Sequence, residues 1–565
     1  MLPRRFRFLV AAVLVLALES CPSAARADSA ASDAARLKRG QTLYVANCSM
    51  CHQVTGRGAA GVYPPLAGSD FLLGEDGRKR ALGAVVGGLQ GPITVNGKGY
   101  NNQMPAVALD DAGVADVLTY VFHSWGNVGG TFDPAEVAEA RKSTPFKTYA
   151  DLVKANAYAP LPKAPEGTRL RELVRLNEFV VRIAASTDAK SLLLLTGEGS
   201  VRRLDLASRK VVPLLEPQDY IEPARGGVSA SGFHVDGRGR FWIVANRRLE
   251  TPGPLVTNEV TIYRSAPAPA GGKAVPVPWF RMRYPWGIGP YNHGASHIAI
   301  GPDGKLYLSS GSRTDGGEAG TDPRLGSMGE VDTTAALLRF DPDSPEPTPE
   351  VVARGLRNSW SFQWDGSGEL FTVSNGPDAH ACEEMDWIQV PAAGGKARHH
   401  GFPYQFENWS PAKAVYPHTP KALDGVEFVH PVRNLGPAGL PAGREGYTFT
   451  PHSSPAGLVW LDSRWPEAWR ESFLMGRFGN LITGEGNVDA GFDVLSVRPR
   501  RSPDDTWEAR TTTFLAPLGR PLDLLISAGR LFVLEYTRPT DFKGGRGWLP
   551  GRILEVEPEA SRAAR

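Results

Sequence analysis

The sequence is poor in the features that most directly betray a partner. Its 62 lysines and arginines are balanced by 60 aspartates and glutamates, a net charge of +2, so no single-signed stripe exists to bind nucleic acid. Only four cysteines occur in 565 residues. Cys21 lies near the start, Cys48 and Cys51 stand three apart and Cys382 is alone, which excludes a disulfide framework once a leader is removed. After the first run, Phe8–Leu18, no stretch approaches eighteen uninterrupted apolar residues, so no membrane span is expected. No G-x-G-x-x-G follows a strand-like run and opens a helix, which removes the usual sign of a nicotinamide or flavin site. What is plentiful is glycine (63) and proline (47), the composition of a chain with many tight turns. The length predicts two to four domains.

The first segment, residues 1–27, reads as a secretory signal. Arg4, Arg5 and Arg7 precede the apolar run, and Ala25-Arg26-Ala27 offers an A-x-A cleavage site. The alternative at Leu18-Glu19-Ser20-Cys21 is processing to a lipid anchor on Cys21, although a glutamate inside that motif is unfavourable.

Cys48-Ser49-Met50-Cys51-His52 is a C-x-x-C-H motif. Two thiols at this spacing can each add to a vinyl group of one haem, and the histidine then reaches the iron. Met104-Pro105 lies about fifty residues on, where a second axial ligand is needed. A Met/His pair leaves the iron six-coordinate and raises its potential, which suits electron transfer. A zinc knuckle or a bare redox pair is the competing reading of two cysteines alone. Around the motif, Ala35–Asn47 predicts an amphipathic helix and Tyr63-Pro64-Pro65-Leu66 a rigid extended segment. Asp110–Phe122 predicts a closing helix capped by Asp110 or Asp111. Residues 33–126 resemble a class I cytochrome c, which implies one covalent haem c held by Cys48 and Cys51 with His52 and Met104 on iron. Attachment of such a haem is completed outside the bacterial cytoplasm, in agreement with the leader and a periplasmic location.

Residues 127–167 read as a linker with short helices, Asp133-Pro134-Ala135-Glu136 carrying the start signals. From 168 to 557 one unit recurs, a Gly/Asp turn followed by an apolar strand. The copies are Ser191–Thr196, Arg240–Ala245, Lys305–Ser310, Glu369–Ser374, Ser472–Arg477 and Arg530–Tyr536. Their spacing is that of four short strands with turns, the size of a propeller blade. The expected fold is therefore multidomain: a small all-α domain followed by an all-β six-bladed propeller. About forty extra residues fall between Pro377 and Trp469, and Arg552–Val556 is expected to close the ring against Leu170–Leu176.

Three stretches are more specific than the repeat. They are Asn292–Tyr307 (NHGASHIAIGPDGKLY), Gly355-Leu356-Arg357-Asn358, and Asn375-Gly376-Pro377 followed by Glu383-Glu384-Met385-Asp386-Trp387 and His400-Gly401-Phe402-Pro403-Tyr404. Together they resemble the soluble pyrroloquinoline-quinone (PQQ) glucose, aldose and sorbosone dehydrogenases. The resemblance implies that His293 is the general base, suited to it by a pKa near working pH, or else a structural histidine at a blade edge. It implies that Arg357 and Asn358 hold PQQ, with Arg357 also stabilising charge on the quinone oxygen; an inter-blade salt bridge is the other reading of Arg357. Arg520 is implied to face the cofactor carboxylates. The backbone carbonyls of Gly376 and Pro377 are implied calcium ligands. Glu383 and Glu384, with Asp386, form either a second calcium site or a solvated acidic loop. His452 resembles the sorbosone-type subgroup, and Arg477 lies near a cofactor-binding lysine without matching it. His297 either meets a carboxylate or faces solvent. Trp360 stands where glucose-type members carry glutamine, which leaves the substrate open.

A cytochrome fused to such a propeller resembles a quinohaemoprotein. The expectation is a periplasmic PQQ- and Ca²⁺-dependent dehydrogenase of a sugar, aldehyde or related hydroxy compound. It would discharge through its own haem to an external acceptor: another cytochrome, a cupredoxin or a quinone-linked chain. A haem c/haem d nitrite reductase and a non-catalytic binding propeller are the rivals. The first needs haem-ligating histidines in its propeller, and the second leaves His293 and Arg357 without purpose.

Overall fold

The structure is a computed structural model. It describes residues 23–559 apart from 54, 59–62, 90–92, 101–103, 105, 108, 144–159, 177, 223–227, 251–255, 271, 288–292, 320–328, 378–380, 393, 406–419, 422–424, 438–447, 480–489 and 538–550. Cys21, Pro105 and Asn292, and nearly all of the leader, lie outside the described residues. Among the described residues no helix is long and apolar enough to cross a membrane.

The helices come first. Ser23–Asn47 packs against Asp111–His123, and Gly40 is at the crossing, where an added Cβ would lie 2.1 Å from the carbonyl oxygen of Asp116. Only a missing side chain allows that approach. Arg36 and Arg39 both bond Asp116 beside it, at 2.9 and 2.7 Å. The second helix is capped by Asp110, whose carboxylate accepts from the Gly113 amide at 2.7 Å, and it buries Val114, Val117, Leu118 and Val121.

The helix Pro134–Ser143 starts where the linker's start signals place it. Asp133 accepts from the Ala135 amide and Glu136 accepts from the Asp133 amide, a reciprocal cap. Phe132 and Val137 are fully buried in the core of the helical unit, and Arg141 bonds Asp111. Among the described residues, Phe132 and Val137 pack into the same core as the cytochrome-like helices.

Apart from the hairpin Ile93–Val95 with Lys98–Tyr100 in the helical domain, the described strands form six sheets around one axis. Each repeat copy seen in the sequence is the second strand of its sheet, buried on both faces between neighbouring blades; Leu192 to Leu195 are all 0–1% exposed. The first strands line the axis: Val180–Ala185, Val228–Val235, Ala295–Ile300, Ser359–Trp364, Pro455–Leu461 and Arg520–Ser527. Each contacts the next and the sixth contacts the first. Contacts join early residues to early residues, as in Arg182 with the Ser231 carbonyl, Ser296 with the Ser359 carbonyl and Asp523 with the Ile183 amide. The starts of all six inner strands consequently share one end of the ring. Gly551–Pro558 closes the ring by antiparallel pairing with Thr168–Leu176, Val556 opposite Leu170. The long insertion supplies edge strands to both neighbours: Arg398–His399 pairs parallel with Glu350–Arg354, and Arg433–Pro437 with Trp507–Leu515.

Candidate functional site

Two centres emerge. In the helical domain Cys48, His52 and Met104 line one apolar cavity, with Leu89, Val117, Leu118 and Val121 among the walls. His52 stands on the short helix Ser49–His52 and Cys51 on the same turn. The carbonyl of Pro64 can only accept, so the Nδ1–H of His52 donates to it at 2.9 Å and Nε2 keeps the lone pair a metal needs. Burial holds the His52 pKa below its ordinary value, opposed by that carbonyl. The rigid Pro64-Pro65-Leu66 segment thus orients the ligand. Met104 is fixed by two backbone hydrogen bonds to Leu89, at 2.8 and 2.9 Å. An apolar cavity carrying a nitrogen and a thioether ligand fits haem c.

The second centre lies where the inner strands begin. His293 precedes the third inner strand by two residues, Arg357 and Asn358 immediately precede the fourth, and Arg520 opens the sixth. His293 is partly buried. Its Nδ1 meets the Ser312 carbonyl at 3.2 Å and the Ser312 hydroxyl at 3.0 Å. That hydroxyl spends its proton on the Thr314 carbonyl at 2.7 Å, so both partners accept and Nδ1 must be the protonated nitrogen. Nε2 is then a proton acceptor. Burial, and secondly the charge of Arg357, press the His293 pKa down to about 3, with the Ser312 carbonyl opposing. The imidazole is neutral at working pH, as a base must be, but it does not titrate near pH 7 as the sequence suggested.

Gly311 is packed between the two motifs. A Cβ there would lie 2.5 Å from the Cβ of His293 and 3.3 Å from Oδ1 of Asn358. Arg357 is 5% exposed and bonds both the carboxylate and the carbonyl of Asp315, so the salt-bridge reading of this residue is also met. Its Nη1 donates to the carbonyls of Asn375 at 2.9 Å and Gly376 at 2.7 Å. Arg520 is buried, with its guanidinium about 5 Å from the rings of Phe478 and Phe492. Two buried guanidinium groups and an imidazole at one end of the ring fit a planar anionic ligand such as PQQ.

The calcium residues fit less well. The Gly376 carbonyl already faces the Arg357 guanidinium, a cation where a second cation is expected. Glu383 and Glu384 do not converge. Glu383 accepts from the amides of Gly376 at 2.7 Å and Ser454 at 3.1 Å, while Glu384, its neighbour on an extended chain, faces the other way. Among the described residues no three His, Cys, Asp or Glu side chains are grouped to hold a metal. Arg477 is committed to Asp493 at 2.7 and 2.5 Å. His452 and Ser454 both adopt left-handed backbone, φ 61° and 50°, strain that concentrates where loops are shaped for a purpose.

Several residues escaped the sequence reading. Arg182 is 1% exposed at the axis and bonds Asp523 at 3.2 Å and the Trp360 carbonyl at 2.8 Å, with its guanidinium 4.6 Å from the Trp360 ring. His297, which the sequence did single out, packs edge-on against Phe362 and is half-buried; burial and the charge of Arg182 hold its pKa well below the ordinary value. Asn246 clamps Ala295, accepting from its amide at 2.9 Å and donating to its carbonyl at 2.8 Å. Ser312 and Asp315 carry no signal beyond following a strand near the motifs, and Asn246 lies inside the strand Phe241–Glu250 with no motif around it.

The sequence profile of the cytochrome c family matches residues 37–125, and that of the glucose/sorbosone dehydrogenases matches residues 287–481. A cytochrome c-552 of Thermus thermophilus is 37% identical over 125 residues, covering 20% of this chain and 95% of that protein. The cytochrome c subunit of a quinone alcohol dehydrogenase from Gluconobacter oxydans is 29% identical over 139 residues, 23% of this chain and 28% of that subunit. Among solved structures, the PQQ-bound aldose sugar dehydrogenase of Streptomyces coelicolor aligns with 70% of this chain and 99% of its own, at 19% identity and a TM-score of 0.42. The apo aldose sugar dehydrogenase of Escherichia coli aligns with 69% and 99%, at 17% identity and a TM-score of 0.46.

Proposed function

From a chain that belongs to the cytochrome c family through residues 37–125 and joins to it a PQQ-type glucose/sorbosone dehydrogenase propeller, we propose a periplasmic dehydrogenase that oxidises a sugar, aldehyde or related hydroxy compound and hands the electrons to its own haem. The observation that carries this is the His293–Ser312 pair, which holds Nε2 as a proton acceptor beside the buried guanidinium of Arg357.

When bound, PQQ supplies a hydride acceptor and haem c a one-electron carrier. The chain's residues do the rest. His293 Nε2 takes the hydroxyl proton of the substrate while Ser312 keeps the ring in that tautomer. Arg357 is held by the carbonyl and carboxylate of Asp315, so the remaining Nη2–H can meet developing negative charge. Asn358 and Arg520 bind the cofactor. Trp360, stacked with Arg182 at the axis, closes the floor with an aromatic surface in place of an amide. Gly376 and Pro377 are the proposed calcium ligands, and Gly376 must exchange Arg357 for the metal. Export follows from the leader and the haem motif, and an external one-electron acceptor then reoxidises the haem. Tethering gives the cytochrome an effective concentration of about mM.

The test is His293→Gln, which keeps size and hydrogen bonding but cannot take a proton near neutral pH. Haem reduction by a panel of aldoses, sorbosone-like aldehydes and simple alcohols should fall about 10²–10⁴-fold, with the haem spectrum and PQQ binding unchanged. Chelated protein should recover only with PQQ and Ca²⁺ together. If no panel member reduces the haem of the unmutated holoprotein, the dehydrogenase reading fails.

A further inference from the structure

The haem-attachment loop is in contact with the propeller. Ser49, between the two cysteines, is 5% exposed. It donates to the Val45 carbonyl at 2.7 Å, and its oxygen accepts from Nη1 of Arg248 at 2.8 Å. Arg248 is itself 8% exposed, with its guanidinium 5.0 Å from the centre of the Trp286 ring, a cation–π distance.

Strand register shows which end of the propeller this is. Val228, the first residue of the second inner strand, pairs with Arg247, and Arg248 with Asn258 on the following strand. Arg248 therefore stands at the end where the inner strands begin, the end that bears His293. Two short routes join it to that residue. Asn246, two positions before Arg248 and on the same face of the strand, clamps Ala295, two positions after His293. On the other side Arg313, next to the Ser312 that orients His293, donates to the carbonyls of Pro285 and Trp286, both at 3.0 Å. Arg248 and Trp286 thus bridge the loop that would bear both thioethers and the strands that position the base.

Resting on the dehydrogenase reading above, we propose that Arg248 seats the haem loop on the catalytic end of the propeller and that Trp286 beneath it is the bonded relay for electrons, so that the fused cytochrome is a docked acceptor and not a swinging one. Two electrons leave the propeller one at a time for each substrate oxidised. Each converts ferric to ferrous haem, and the external acceptor reoxidises the iron between them.

The experiment uses full-length, haem-loaded Arg248→Met, Arg248→Lys and Trp286→Leu proteins whose haem content and circular dichroism match the parent. The first readout needs no PQQ. A seated guanidinium favours the less positive ferrous state, so redox titration should give Arg248→Met a lower midpoint potential, Arg248→Lys a value near the parent and Trp286→Leu no change. The second mixes chemically reduced PQQ anaerobically with the ferric proteins and follows the haem band. Arg248→Met and Trp286→Leu should reduce at least tenfold more slowly, while transfer to a small diffusible dye is unchanged. An unshifted potential in Arg248→Met overturns the docking, and an unslowed rate in Trp286→Leu overturns the relay. Failure of reduced PQQ to reduce the parent haem refutes the dehydrogenase reading instead, and the potentials still decide the docking.

Discussion

His293 was visible in the sequence because its motif is contiguous, but the state of its ring was not. That state depends on Ser312 and Arg357, 19 and 64 positions away, on loops that meet only after the blades close. Its low pKa sets a pH profile. Above about pH 4 the imidazole is neutral and competent, and protonation disables it only as pH falls through about 3. The acid limb of substrate-driven haem reduction should therefore lie well below the 6.5 of a free histidine, and a limb at 6–7 would show that another group is titrating. Ser312→Ala removes one of the two acceptors at Nδ1 and leaves the carbonyl. The lost orientation is worth about one net hydrogen bond, or about a tenfold fall in rate, with the haem spectrum untouched.

At the scale of the element, the sequence displayed the second strand of every blade and hid the first. Second strands are apolar on both faces because they are sandwiched between blades, and Ser191–Thr196 shows it. Inner strands such as Val228–Val235, VSASGFHV, mix small and polar residues that approach neighbouring blades and the axis, so no periodicity reports them. The ends of those strands are packed tightly enough to test. Gly311→Ala must displace His293 or Asn358, since its Cβ would intrude to 2.5 Å of one and 3.3 Å of the other. Steady-state assay should show most activity lost, against a haem potential and spectrum like the parent's. The helix Pro134–Ser143 was legible as a helix from its cap but not as part of a core, because its partners Phe132 and Val137 gain meaning only against Phe122 and Leu118.

For the whole molecule, the fold class and the two-part organisation were readable, and the contact between the parts was not. It joins Ser49 to Arg248, across 199 positions, without any motif. A property of the ensemble follows from its partly buried histidines. Burial lowers His234 and His399 to about 4 and His293 to about 3. The unfolded chain binds those protons near pH 6.5. Their contribution to stability is therefore complete above pH 6.5 and is lost as pH falls towards 4. Glu330, Asp523 and Glu535, raised by burial, act in the opposite sense. His234→Gln isolates one histidine. The stability difference between pH 7.5 and pH 4.5, measured by urea unfolding, should shrink by about 2 kcal/mol relative to the parent.

The pairing of Thr168–Leu176 with Gly551–Pro558 also fixes an order of events during folding. Arg171 meets Glu555 across 384 positions, among the costliest loops to close in the chain. Until that last strand is made, five blades and an incomplete sixth form an open arc with two unpaired sheet edges, the condition in which β-proteins aggregate. The cytochrome lies wholly before the arc. It can fold and take up its haem while the arc is still open, and the chain then reaches closure with an already folded domain beside the blade that Arg248 belongs to.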